Sequence, residues 1–102
     1  MDILDLRKLC NDDTIQVTSP VLKRCRERNI TLDDIISCIM SGEIIEDYPN
    51  DYPHPSALIM GYKNGNPIHL VAGIGNDKLW IITAYLPDPN QWNHNFKIRK
   101  EH

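Results

Sequence analysis

The side chains of this sequence that could do chemistry are an imidazole, a phenol and a set of cations. His69 stands inside the run PIHLVAGI and Tyr85 near the end of the run LWIITAYL. Near neutral pH an imidazole exchanges a proton in either direction, and a phenol can donate one. Arg24 and Arg28, four residues apart, share one face if their segment is helical. Guanidinium groups there could clamp a phosphate in a bidentate way. Lys23, Arg24, Arg26 and Arg28 form one basic stretch, and Lys97, Arg99 and Lys100 form another; together they are seven of the eleven basic residues. Brought together by folding, the two stretches could hold a phosphate backbone despite the net charge of −3. Each feature also has a plainer reading: a half-buried sheet histidine bonded to a loop, a rim tyrosine, arginines paired with acids such as Glu27 or Asp47, and separate solvated basic faces.

Other chemistries find little support. Cys10, Cys25 and Cys38 are odd in number, far apart and on apolar positions of helix-like segments, as reduced core cysteines of a cytoplasmic protein would be. No pair has metal-ligand spacing and His54, His69, His94 and His102 are scattered, so neither a metal nor another cofactor is expected. A chain of 102 residues makes one domain with a single core. No apolar run is long enough to cross a bilayer, and MDILDLRKL is not a secretory leader, so a membrane partner is not expected.

The elements that position His69 and Tyr85 are strands. Ala57 to Leu86 divides into three β-rich runs, the first two joined through Asn64-Gly65, which suits a type I′ hairpin turn. The side-chain period of two places Ile68, Leu70, Ala72 and Ile74 in one core-facing row and turns His69, Val71 and Gly73 the other way. The third run is apolar on both faces; the register chosen puts Trp80, Ile82 and Ala84 in the core row and Thr83 and Tyr85 beside His69. Ahead of this meander, a short helix from Asp2 to Asn11 is capped by Asp2, and Thr14 to Thr18 reads as an edge strand. Ser19-Pro20 opens a second helix with Leu22 and Cys25 inward, ending at Asn29. Thr31 and Asp34 form a capping box for a third helix, whose stripe of Leu32, Ile35, Ile36, Ile39 and Met40 ends at Gly42. Glu43 to Tyr48 could feed the sheet as a strand, and Trp92 and Phe96 could anchor a final helical turn before the basic tail. The order α-β-α-α-β-β-β-β predicts an α+β domain with helices packed on one face of a mainly antiparallel sheet.

Several separated motifs occur in order between about Val17 and Trp92: Thr18 with Arg24, Arg28 and Ile30; Gly42-Glu43-Ile44-Ile45 with Tyr48; Gly61-Tyr62; Pro67-Ile68-His69-Leu70-Val71; and Ile81-Ile82-Thr83-Ala84-Tyr85 with Pro87, Pro89 and Trp92. In this the sequence resembles the bacterial family known as domain of unknown function 4258. The resemblance implies the compact architecture of small toxins of the RelE, BrnT and MqsR kind, several of which belong to type II toxin–antitoxin pairs and cleave messenger RNA. The N-terminal half is similar to MqsR-like toxins, in which a catalytic tyrosine lies about where His69 stands and a lysine follows the strand matching Ile81 to Tyr85. Leu86 stands near that lysine here, Pro20 stands where the family pattern usually has a histidine, and Asn29 replaces the usual glycine.

What the resemblance implies is a cytoplasmic, metal-independent endoribonuclease of the mRNA interferase type, acting on mRNA free or on the ribosome. A cognate antitoxin, of the YgiT zinc-finger type, would hold it inactive. His69 would serve as acid or base, Tyr85 as donor, Arg24 and Arg28 as catalytic cations, and Lys23, Lys97, Arg99 and Lys100 as RNA-binding charges. The alternative is a non-catalytic protein-binding module, or an inactive toxin relative, that uses an open sheet face and a rim of Tyr48, Tyr52, Trp92 and Phe96.

Overall fold

Helical periodicity in the first half of the chain and strand alternation in the second produce two layers, a set of helices and one sheet. The computed structural model describes residues 1–101; His102 lies outside them. The elements run α1 (Ile3–Lys8), β1 (Ile15–Val17), α2 (Ser19–Glu27), α3 (Leu32–Ser41), β2 (Glu43–Tyr48), β3 (Ser56–Lys63), β4 (Asn66–Gly75) and β5 (Lys78–Tyr85). The strands form one sheet in the order β1-β5-β4-β3-β2, with β1 parallel to β5 and the other neighbours antiparallel. The protein is thus an α+β domain with its helices on one face of a mainly antiparallel sheet, and Asn64 and Gly65 make the β3–β4 turn with positive φ.

The core lies between helices and sheet. Leu6, Val21, Cys25, Ile35, Cys38 and Ile39 from the helical layer meet Ile59, Ile68, Leu70, Ala72, Leu79, Ile81 and Ala84 from the sheet. Local signals start the helices as expected: Asp2 accepts from the Leu4 amide at 2.9 Å, and Thr31 and Asp34 form a reciprocal capping box. Helix α2 begins one residue early, with Thr18 as N-cap and Pro20 in the first turn, and Asn29 closes it in the left-handed region at φ 56°. Two expected core assignments are corrected. Val21 rather than Leu22 is buried on α2, because the helix meets β5 through Val21 and Cys25, while Leu22 stays on its flank. On α3 only Ile35, Cys38 and Ile39 are buried; the buried face turns toward Cys38, which leaves Leu32 and Met40 on an exposed flank. The end of α3 is tied to α1 by Arg7, whose guanidinium donates to the Ile39 and Gly42 carbonyls at 2.9 and 3.0 Å. Gly42 follows immediately, where a Cβ would lie 2.3 Å from the Cys38 carbonyl oxygen and 2.5 Å from that of Met60.

Two β-bulges decide which side chains share a face. Across β4 and β5 the pairs run His69 with Tyr85, Leu70 with Ala84 and Val71 with Thr83, and then Ala72 with Ile81, so Ile82 is left without a partner. The alternation resets there. Ala84 faces the core and Thr83 and Tyr85 face the side of His69, as expected, but Leu79 and Ile81 replace Trp80 and Ile82 in the core row. Trp80 lies on the His69 side, and Ile82 is 41% exposed. In β2 the skip between Ile44 and Glu46 aligns Glu46 with Leu58 and Tyr48 with Ser56, which sets both on the His69 face.

The segment after Pro89 is not the expected helical turn. Asn93 donates its amide to the Ile98 carbonyl and Lys100 to the Gln91 carbonyl, both at 2.9 Å, and Trp92 pairs with Arg99. Asn95 takes the Lys97 amide at 3.1 Å and Phe96 adopts φ 60°, so local side-chain bonds and a left-handed residue turn the chain back on itself. This narrow loop is a strap across the sheet face away from the helices.

Candidate functional site

His69 sits in the middle of the sheet on that strapped face and is 0% exposed. Its Nε2 lies 2.7 Å from the Phe96 carbonyl oxygen. A carbonyl only accepts, so Nε2 carries the proton and Nδ1 keeps its lone pair. That lone pair faces the Tyr85 hydroxyl, 3.4 Å away, in a long contact between directly paired residues of β4 and β5. Trp92 packs edge-on against the imidazole at 4.4 Å between ring centroids. Burial pushes the His69 pKa below its ordinary value; the Phe96 carbonyl opposes this, Arg99 adds to it, and Glu46 pulls it back in part. The imidazole is therefore neutral near pH 7 and able to take a proton. Burial raises the pKa of Tyr85, with Arg99 lowering and Glu46 raising it, so the phenol keeps its proton. Tyr85 is half-buried and His69 is fully covered, so within this pair only the phenol meets solvent.

Beside the pair lies a cluster drawn from β2 and the strap. Arg99 forks onto the Glu46 carboxylate with bonds of 3.1 to 3.2 Å, and its guanidinium lies over the Trp92 ring at 4.6 Å from the centroid. The Tyr48 hydroxyl donates to the same carboxylate. Burial alone would raise the Glu46 pKa, but the Tyr48 and Arg99 bonds and the Arg99 charge hold it below the ordinary range. Glu46 was not among the site residues expected from sequence, and Tyr48 was expected only in the rim of the binding-module reading. The available signal was their spacing of two in the stretch Glu43 to Tyr48; the bulge at Ile45, which puts them on the His69 face, leaves no mark in the sequence.

The cations divide into two groups that do not meet. Arg28 leaves α2 to donate to the Ala84 carbonyl at 2.7 Å, with Thr83 Oγ1 at 3.5 Å, and so reaches the outer edge of β5 beside Tyr85. Arg24 is exposed on the same helix flank and folds back to the Pro20 carbonyl at 3.4 Å; Lys23 is exposed as well. Lys97 instead pairs with Glu43 and Arg99 with Glu46, both at the β2 end of the sheet, while Lys100 is exposed. Strands β3 and β4 lie between the groups, so the expected single clamp built from both basic stretches is not formed. The expected open sheet face is corrected too. Trp92 is 2% exposed and is the strap's anchor rather than part of a rim, whereas Tyr52 is almost wholly exposed.

The cysteines offer no nucleophile. Burial raises all three thiols, Cys38 to about 12, and at Cys25 it outweighs the opposing charges of Arg28 and Arg24. Among the described residues no group of three or more His, Cys, Asp or Glu side chains could hold a metal ion, and no helix is long and apolar enough to cross a membrane. The family model described as Domain of unknown function (DUF4258) matches residues 17–86. The match takes in Arg24, Arg28, Glu46, His69 and Tyr85 and ends before the strap. No curated protein matches the chain.

Proposed function

The chain belongs to the DUF4258 family, and on that premise we propose that it is a metal-independent endoribonuclease, the toxin of a bacterial type II toxin–antitoxin pair. The observation that carries the reading is the Tyr85 and His69 pair: the hydroxyl of a half-buried tyrosine whose neighbour is a neutral imidazole, with the Nδ1 lone pair turned to that hydroxyl and the other nitrogen fixed by the Phe96 carbonyl. This is the arrangement of a reacting hydroxyl, a base and a group that orients the base. Tyr85 would take the proton of an RNA 2′-hydroxyl while passing its own to His69 Nδ1. The 2′-oxygen attacks the adjacent phosphorus, the bond to the 5′-oxygen breaks, and the proton returns by the same route to the leaving oxygen. The products are a 2′,3′-cyclic phosphate and a 5′-hydroxyl. Arg28 at the β5 edge would offset charge building on the phosphate.

One observation favours a second reading, a non-catalytic binding module. The protein's own strap covers His69, and Glu46 occupies Arg99. Expression of wild type and His69→Gln in cells, with RNA decay followed in vitro in EDTA, separates the two. The ribonuclease reading expects growth arrest and cleavage from wild type alone; equal effects from both proteins, or from neither, contradict it. For the antitoxin, of the YgiT zinc-finger type, the expected result is co-elution of the adjacent gene product with this protein at moderate salt.

A further inference from the structure

Where β1 stops pairing at Val17 opposite Ile81, the edge of β5 opens and an apolar groove of about 340 Å³ runs along it. Its walls are Val21 of α2, the bulge residue Ile82, and the rings of Trp80 and His54, with Gly73 among the lining residues. The two rings stack at 5.9 Å and 23°, and the Trp80 indole is fixed by its bond to the Gly75 carbonyl at 3.0 Å. Such a volume lies at the low end for ligand sites, the size for one flat group rather than a helix or a long chain.

We infer that this groove is a base-binding subsite, which takes one unpaired RNA base against Trp80 while the strand's phosphates follow Arg24 and Arg28. The occupant follows from the ribonuclease reading above and from charge. Arg24 and Arg28 lie on the α2 flank that leads from the groove toward Tyr85, and among the described residues neither forms an ion pair. A polyanion along this flank meets cations whose charge no carboxylate neutralises, and a base beside it meets an apolar slot edged by aromatic rings, the combination that holds single strands. Gly73 and His69 are four residues apart on β4, roughly 13 Å at strand rise, so base and cleaved phosphate would belong to neighbouring nucleotides of one strand. The groove exists because of the bulge: without the reset at Ile82, Trp80 would face the core.

The test is an NMR titration of the full-length protein with CMP and AMP, following the indole N–H signals of Trp80 and Trp92, with ribose 5-phosphate as the control lacking a base. The subsite predicts a saturable shift at Trp80 that ribose 5-phosphate does not produce. Ile82→Glu, at an exposed position, puts a carboxylate into the apolar wall beside the base and should weaken that binding by at least about 5-fold, the low end of what one stacked base is worth. No shift at Trp80, or an equal shift with ribose 5-phosphate, overturns the subsite. Binding at Trp80 by a protein that cleaves no RNA would overturn the ribonuclease reading and retain the subsite; cleavage by a protein whose Trp80 ignores both nucleotides would overturn the subsite alone.

Discussion

Tyr85 and His69 face each other across β5 and β4, the phenol oxygen 3.4 Å from Nδ1, and burial has made them unequal: the imidazole is sealed beneath Trp92 and Phe96 while the phenol reaches the surface. An acid–base role for His69 therefore passes through Tyr85, unless the strap moves.

The buried imidazole sets a pH dependence of stability. Its folded pKa lies below the ordinary 6.5, so its neutral form is at no disadvantage above 6.5. As pH falls below that value the unfolded chain takes up a proton that the folded chain resists, and stability declines until the folded pKa is passed. Urea midpoints measured between pH 8 and pH 5 should fall toward the acid side in wild type. In His69→Gln the fall over this window should be smaller, and an unchanged profile would show that His69 is not protected from protonation.

Holding the strap is a second role, for Arg99 with Glu46. The ion pair is bidentate but partly exposed, so solvent screening limits its worth to about 0.2–1 kcal/mol. Arg99→Ala should lower global stability by no more than about that amount. It should also speed hydrogen exchange at the amides of Asn93 and Lys100, which bond within the strap. Exchange unchanged at both positions would mean that Trp92 alone holds the segment.

Gly42 tests the packing of α3 on the sheet. The atoms that an added Cβ would meet are backbone oxygens of Cys38 and Met60, which cannot swing aside as a side chain can. Gly42→Ala should cost about 1–3 kcal/mol in chemical denaturation. A neutral result would mean that the end of α3 shifts away from β3 without penalty.

What was legible beforehand, and what was not, follows from range. Asp2, Thr31, Asp34, Asn29 and the Asn64-Gly65 turn act through neighbours a few residues away, and the structure uses each of them as read. The β4 row of Ile68, Leu70 and Ala72 was legible because its alternation is unbroken. The β5 register was not. A bulge at Ile82 depends on how two strands meet, and an apolar run shows no break where it occurs. A sheet histidine bonded to a loop was among the readings, and His69 bonds the Phe96 carbonyl; which loop was hidden for the same reason, since Trp92 and Phe96 must fold back over a residue more than twenty positions earlier and nothing in Asp88 to Lys100 names that target. Glu46 carries no local signal, because its partner, Arg99, lies 53 residues away.

The most direct measurement of the central claim is single-turnover cleavage of a defined RNA in EDTA by wild type, Tyr85→Phe and His69→Gln, with the product ends identified. Loss of a positioned proton-transfer group typically costs about 10²–10⁴ in rate. Because the two residues form one relay, each variant should lose that much, and the double variant little more than either alone. The wild-type product should end in a 2′,3′-cyclic phosphate. Wild-type cleavage that survives unchanged in both single variants would contradict the account.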